Sequence, residues 1–279
     1  MPISLTPPKA VLEARKAGAL FVISHSGGKD SQAMTALMRG FVPPDQLVVV
    51  HAHLRDVDWP DAEEHARRTS HGLEFHRVEA KRSFFELVAH RRSFPTPRSR
   101  WCTSDLKREP INKWLRRLCR ERNIPLIVQC LGMRAEESTA RASRPVFSCD
   151  KRLTIPARRV YQWLPVHHLT EAEVFAAIRS AGQTPHWAYA AGMSRFSCCF
   201  CIMAKRRDLQ IAGRLQPALL RRYVGEEKRL GFTLQAGRSL EETLGAQVDA
   251  TPSEQAGERL SNHGRRRRVE ARAAVRSAD

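Results

Sequence analysis

Through roughly the first 170 residues, strand-length apolar runs alternate with helix-patterned segments, and that alternation limits the fold more than any other feature of the chain. The runs are "LFVIS" (20–24), "QLVVVHAHL" (46–54), "LEFHRVEA" (73–80), "PLIVQCLG" (125–132) and "YQWLPVH" (161–167). Between them lie "SQAMTALMRG", "WPDAEEHARRTSHG", "SFFELVAH" and "SDLKREPINKWLRRLCRERN". Gly40 and Gly72 are read as helix C-terminal residues, Pro60 as a first-turn residue and Pro110 as a bend or restart. Parallel strands need crossover connections, so the pattern predicts an α/β fold: a parallel five-stranded sheet with helices on both faces. Ligands of such sheets bind beyond the strands' C-terminal ends, near a topological switch.

The pattern predicts three parts. Residues 1–168 form the α/β domain, and residues 169–245 a small helical subdomain that holds a cysteine cluster. "LTEAEVFAAIRSAG" opens that subdomain with a capping box, Thr170 and Glu173, and ends at Gly182. Residues 246–279 are polar, include "RRRR" (265–268), and are expected to be a disordered basic tail. Hydrophobic residues make up 42% of the 279, enough for a real core. No apolar run approaches the ~18 residues of a membrane span. The N-terminal stretch has no apolar signal core. The expectation is a soluble, cytoplasmic protein with no membrane partner. The net charge is +18, and His65 to Arg122 holds 16 Lys/Arg against 6 Asp/Glu. Clustered cations of this kind suit a polyanion partner such as a nucleic acid, or simply solvated helix faces.

"SHSGGKDS" (24–31) joins the first strand to its helix. It lacks the spacing of a Walker loop. Its chemistry is still that of an anion cradle. Gly27 and Gly28 can adopt backbone conformations closed to other residues, and their N–H groups can form a nest at the next helix N-terminus. Lys29 adds a positive charge and Ser31 a hydroxyl, while Asp30 could cap the helix or hold Mg²⁺. Arg134 follows the fourth strand on the ligand side, where a guanidinium fork suits phosphate or sulfate. Glu137 could orient it, or could pair with Arg141 along a surface helix.

Seven cysteines, an odd number, argue against a disulfide framework. Cys119 and Cys130 fall in apolar patterns and read as buried. Cys198, Cys199 and Cys201 form a CxxC block, and Cys102 sits among cations in "RSRWCTSDLKR". Four readings are open: an iron–sulfur cluster, a zinc ion completed by His186 or Cys199, a redox dithiol, or buried thiols near a positive site.

The loop resembles the SGGxDS pyrophosphate loop of the adenine-nucleotide α-hydrolase superfamily. Other blocks follow in order: "VVVHAHLRDVDWP", "RWCTSDLKREPINKWL", "LGMRAEESTAR", "WLPVHHLTEAEVFAAIRSAG" and "GMSRFSCCFCI". Together, from about 20 to 210, they resemble the phosphoadenosine-phosphosulfate (PAPS) reductase family, near its DNA-phosphorothioation-like, phage-type branch. The resemblance implies that Ser26, Gly27, Gly28, Lys29, Asp30 and Ser31 grip the phosphates of an adenine nucleotide, with His53, Arg134 and Arg141 adding contacts. It implies catalytic roles for Lys29, Asp30 and Arg134. It also implies a [4Fe–4S] cluster on Cys102, Cys198 and Cys201, with Cys199 as a fourth candidate and zinc as the alternative. His53 departs from the family, which usually carries an acidic residue there; Asp56 or Asp58 could substitute. The reductases' C-terminal nucleophilic cysteine has no counterpart after Cys201.

The reading drawn from this resemblance is an ATP pyrophosphatase-type enzyme using ATP and Mg²⁺. It would adenylate a nucleic acid and pass it sulfur from a donor such as a cysteine desulfurase. The alternatives are a reductase of PAPS or adenylyl sulfate that releases sulfite, and a non-catalytic nucleotide- or nucleic-acid-binding protein with a structural metal site.

Overall fold

Successive residues of the first strand bury on opposite sides. Phe21 and Ile23 face one layer of helices, Leu20 and Val22 the other, and all four are shielded from water. A strand covered on both faces needs no polar alternation, which is why "LFVIS" reads as a continuous apolar run. The computed structural model describes residues 3–245. The strands are β1 (Leu20–Ser24), β2 (Leu47–His53), β3 (Glu74–Glu79), β4 (Leu126–Leu131), β5 (Phe147–Cys149) and β6 (Arg159–Trp163). The main helices are α1 (Lys9–Lys16), α2 (Lys29–Phe41), α3 (Ala62–Thr69), α4 (Phe84–Arg91), α5 (Glu109–Glu121) and α6 (Glu171–Ser180).

The sheet has six strands in the order β3-β2-β1-β4-β6-β5. All neighbours are parallel except β5, which pairs antiparallel with β6. Five strands were expected. The sixth is a half-buried, three-residue edge strand, too short to show a period. The last parallel strand ends at Trp163 rather than His167. Pro165 has no N–H to extend the ladder.

One face of the sheet packs against α1, α2 and α6 through Val11, Met34, Met38, Val174 and Ile178. The other packs against α5 through Trp114, Leu115 and Leu118. Gly40 does not end its helix: α2 runs on to Phe41 and stops at the extended Val42. Helix α3 starts at Ala62, after a left-handed Asp61 (φ 51°), so Pro60 precedes its first turn. Before α5, residues Ser104–Arg108 form a π segment. Pro110 cannot return an N–H to the carbonyl four residues back, and the ladder shifts register there. The capping box read at Thr170–Glu173 is formed, and a second forms at Ser83–Glu86.

The chain divides between Cys201 and Ile202, not at residue 168. Helix α6 buries Val174 and Ile178 in the sheet's core, so it belongs to the α/β unit, as do Cys198, Cys199 and Cys201. The second unit holds α7 (Arg206–Leu215), α8 (Pro217–Leu230) and α9 (Leu240–Leu244). Within it, the buried Glu227 carboxylate accepts the N–H groups of Leu234 (2.7 Å) and Leu240 (2.9 Å). The tail expected from residue 246 lies outside the described residues. Among the described residues, no helix is long and apolar enough to cross a membrane.

Candidate nucleotide and thiol site

The strand order reverses between β1 and β4, so the crevice of the sheet opens where their C-terminal ends diverge. The 24–31 loop leaves β1 there, and Gly132 and Arg134 leave β4 beside it. Gly27 has φ +84°. A Cβ on Gly132 would lie 2.8 Å from the Ser31 nitrogen, so only glycine lets β4 and the start of α2 meet.

His25, absent from the sequence reading, organises the loop. It is fully buried, and burial, with His51 and His65 nearby, pushes its pKa down to about 3, so the ring is neutral. Its Nδ1 accepts the Gly27 N–H (3.0 Å), and its Nε2 lies 3.2 Å from Thr69 Oγ1. The Ser31 hydroxyl donates to the Gly28 carbonyl (2.9 Å) and accepts the Ser26 N–H (3.2 Å). The Lys29 N–H donates to the Tyr189 hydroxyl (3.0 Å), which burial keeps protonated. The ring of Phe196 lies over Gly27 and Gly28.

Lys29 and Arg134 converge on Asp30. The Lys29 ammonium is 3.4 Å from Asp30 and 3.2 Å from Glu171. Arg134 donates to Asp30 at 2.5 Å and also pairs with Glu136. Both cation side chains are about 5% exposed or less, whereas Glu136 and Glu171 are half exposed. Arg134 holds the Glu136 carboxyl below its ordinary range. Glu137 accepts the Arg134 backbone N–H (3.0 Å) and pairs with Arg141, so its orienting effect is on the main chain. Tyr189 and Glu171 left no mark in the sequence, because each reaches the loop from a distant segment; Glu136 lies only two residues from its partner Arg134.

The thiol segment is tied to this site. The Cys199 N–H donates to the Val57 carbonyl (3.0 Å), in the turn after β2. Cys102, far in sequence from Cys198 and Cys201, interacts electrostatically with the same Lys107 of the π segment as they do. Burial raises the Cys102 thiol, and raises Cys198 to about 12. Burial alone would lower Lys107, but Cys198, Asp58, Cys201 and Cys102 outweigh it and raise it. His186 does not join the thiols. Its Nδ1 accepts the Ala188 N–H (3.1 Å), and its Nε2 lies 3.1 Å from Asp61.

His53 stands at the end of β2 beside His51 and Asp58. Its Nδ1 is 4.0 Å from Asp58 Oδ2, and His51 Nε2 is 3.9 Å from the same oxygen. Burial lowers His51 and raises Asp58 relative to their ordinary values. The signal was available: in "HAH", positions i and i+2 of a strand share one face. His53, Asp58, Asp61 and Glu64 also line an open cleft of about 560 Å³.

A strand–glycine loop–helix turn at a parallel sheet's switch point, backed by an arginine from the neighbouring strand, defines a PP-loop type of α/β domain. The sequence matches the phosphoadenosine phosphosulfate reductase domain over residues 20–204, and the chain belongs to that family. It is 32% identical over 126 residues to an uncharacterized 37.8 kDa protein of Escherichia phage 186, covering 45% of this chain and 36% of that one. It is 22% identical over 209 residues to an uncharacterized protein of Methanocaldococcus jannaschii, covering 75% and 48%. The chain thus spans between a third and a half of these relatives' lengths. Among solved structures, a phosphate complex of phosphoadenylyl-sulfate reductase from Candida auris is similar at TM-score 0.43 and 13% identity, covering 70% of this chain and 98% of that one. Candida glabrata FMN adenylyltransferase with FAD and inorganic pyrophosphate is similar at TM-score 0.41 and 13% identity, covering 65% and 55%.

Proposed function

We propose that this chain binds ATP on the Ser26–Ser31 loop, adenylates an acceptor by attack at the α-phosphorus, and delivers sulfur to a nucleic acid. One observation carries the nucleotide reading. Two buried cations, Lys29 and Arg134, meet at the switch point, and each has one half-exposed carboxylate partner, Glu171 and Glu136. Phosphate oxygens arriving from solvent replace those carboxylates without leaving a buried cation bare. The Lys29 N–H passes from Tyr189 to a phosphate oxygen, and the nest at the start of α2 holds the rest.

An acceptor oxygen then forms a bond to the α-phosphorus, and pyrophosphate leaves with the electron pair. Lys29 and Arg134 stabilise the charge that builds on it. Asp30 is the carboxylate at hand for Mg²⁺, which would neutralise phosphate charge. Cys102, Cys198 and Cys201 would be the ligands of an iron–sulfur cluster: all three interact electrostatically with the Lys107 ammonium, which would offset the charge of their thiolates. Such a cluster would supply thiophilic iron, suited to a sulfur-transfer site. A donor such as a cysteine desulfurase would provide the sulfur, which displaces AMP from the adenylated acceptor.

The test is ATP/pyrophosphate exchange with and without nucleic acid. Exchange should rise with nucleic acid and fall about 100-fold or more in Lys29→Ala and Arg134→Ala. Sulfite release from PAPS with thioredoxin, in the absence of exchange, would replace this reading with sulfonucleotide reduction.

A further inference from the structure

We infer that His51, His53 and Asp58 form a binding site for a divalent first-row transition metal ion, with no ligand from the phosphate loop or from the thiols. Ligand atoms of the three lie within 4.8 Å of one another. His51 is already set in the form a metal needs. Its Nδ1–H donates to the His25 carbonyl (2.8 Å), which fixes the tautomer and leaves the lone pair on Nε2. That Nε2 is completely buried, has no hydrogen-bond partner, and points at Asp58 Oδ2. An orphaned buried acceptor is costly unless something occupies its lone pair.

Asp58 is oriented in turn by the Leu54 N–H, which donates to Oδ2 at 3.0 Å. The same carboxylate interacts electrostatically with Lys107, so the ion would share Asp58 with that ammonium. His53 is partly exposed and lines the cleft after β2, so the ion's remaining positions face solvent. Two imidazoles and one carboxylate suit Zn²⁺, Co²⁺ or Fe²⁺, and disfavour Mg²⁺, which takes oxygen ligands. Three protein ligands leave positions for water or an anionic substrate. The His25 carbonyl links this site to the phosphate loop through one residue. The inference does not depend on which nucleotide that loop binds.

The probe is Co²⁺ titrated into the full chain, followed by visible absorption and calorimetry, with His53→Ala as the main variant because His53 is partly exposed. One Co²⁺ equivalent should show d–d bands without thiolate charge transfer, and His53→Ala should weaken it about 100-fold or more. Asp58→Asn should do the same, with circular dichroism checking that both variants fold. The inference fails if His53→Ala leaves Co²⁺ stoichiometry and affinity unchanged. It fails equally if the equivalent lost in His53→Ala carries a thiolate band, which would assign it to the cysteines. ATP/pyrophosphate exchange with Mg²⁺ as the only metal present reports on the phosphate loop alone, because two imidazoles and a carboxylate disfavour Mg²⁺, so the two readings can fail separately.

Discussion

At the scale of single residues, the site depends on close approach as much as on charge. Gly132 lets β4 touch the first turn of α2, and an added methyl would meet the Ser31 nitrogen at 2.8 Å and the Asp30 carbonyl carbon at 2.9 Å. Both obstacles are backbone and cannot swing aside. Gly132→Ala should therefore cost roughly 1–3 kcal/mol in urea unfolding, like other overpacked positions. It should also weaken nucleotide binding, because the strain falls on the loop. Gly72→Ala is a useful contrast. Its φ is +79° but nothing lies within 4 Å, so its cost is backbone strain alone and nucleotide affinity should hold.

At the scale of elements, α3 links the phosphate loop to distant segments. His65 on that helix is buried, donates from Nε2 to the Gln32 Oε1 of α2 at 3.2 Å, and packs edge-on against His186. Burial, with His186 and Arg68 opposing protonation and Asp61 favouring it, lowers its pKa from 6.5 to about 4. The folded chain holds His65 neutral, while the unfolded chain takes up a proton below pH 6.5. Its stabilising contribution is therefore complete above that pH and declines as pH falls from 6.5 to 4. Melting temperature measured across this window should fall by a few degrees more in the parent chain than in His65→Gln.

At the scale of the whole molecule, the +18 charge has a local expression on α5. Its buried face carries Trp114, Leu115, Leu118 and Cys119, and its exposed face carries Lys113, Arg116, Arg117 and Arg120 at helical spacing. Among the described residues, Arg116 and Arg117 pair with the exposed carboxylates of Glu109 and Glu121, which a phosphate backbone displaces easily. If duplex DNA is the acceptor, log affinity should fall linearly with log salt. Replacing Arg117 and Arg120 by alanine should reduce that slope by about 2, read by fluorescence anisotropy.

Local chemistry written in the chain determined much of this protein. The strand runs, the capping box of Thr170, and the glycine loop after β1 are each legible within a dozen residues, because periodicity, caps and turns depend on near neighbours. Tertiary structure alone decided the partners. Lys29 and Arg134 share Asp30 across 104 positions, Tyr189 covers a loop N–H, Cys102 interacts electrostatically with the same Lys107 as Cys198 and Cys201, and His51 turns its free nitrogen toward Asp58. The three-residue strand β5 and the place of α6 in the core belong to the same category. These follow from which strands lie side by side and what burial leaves within reach, and no short stretch of sequence carries that information.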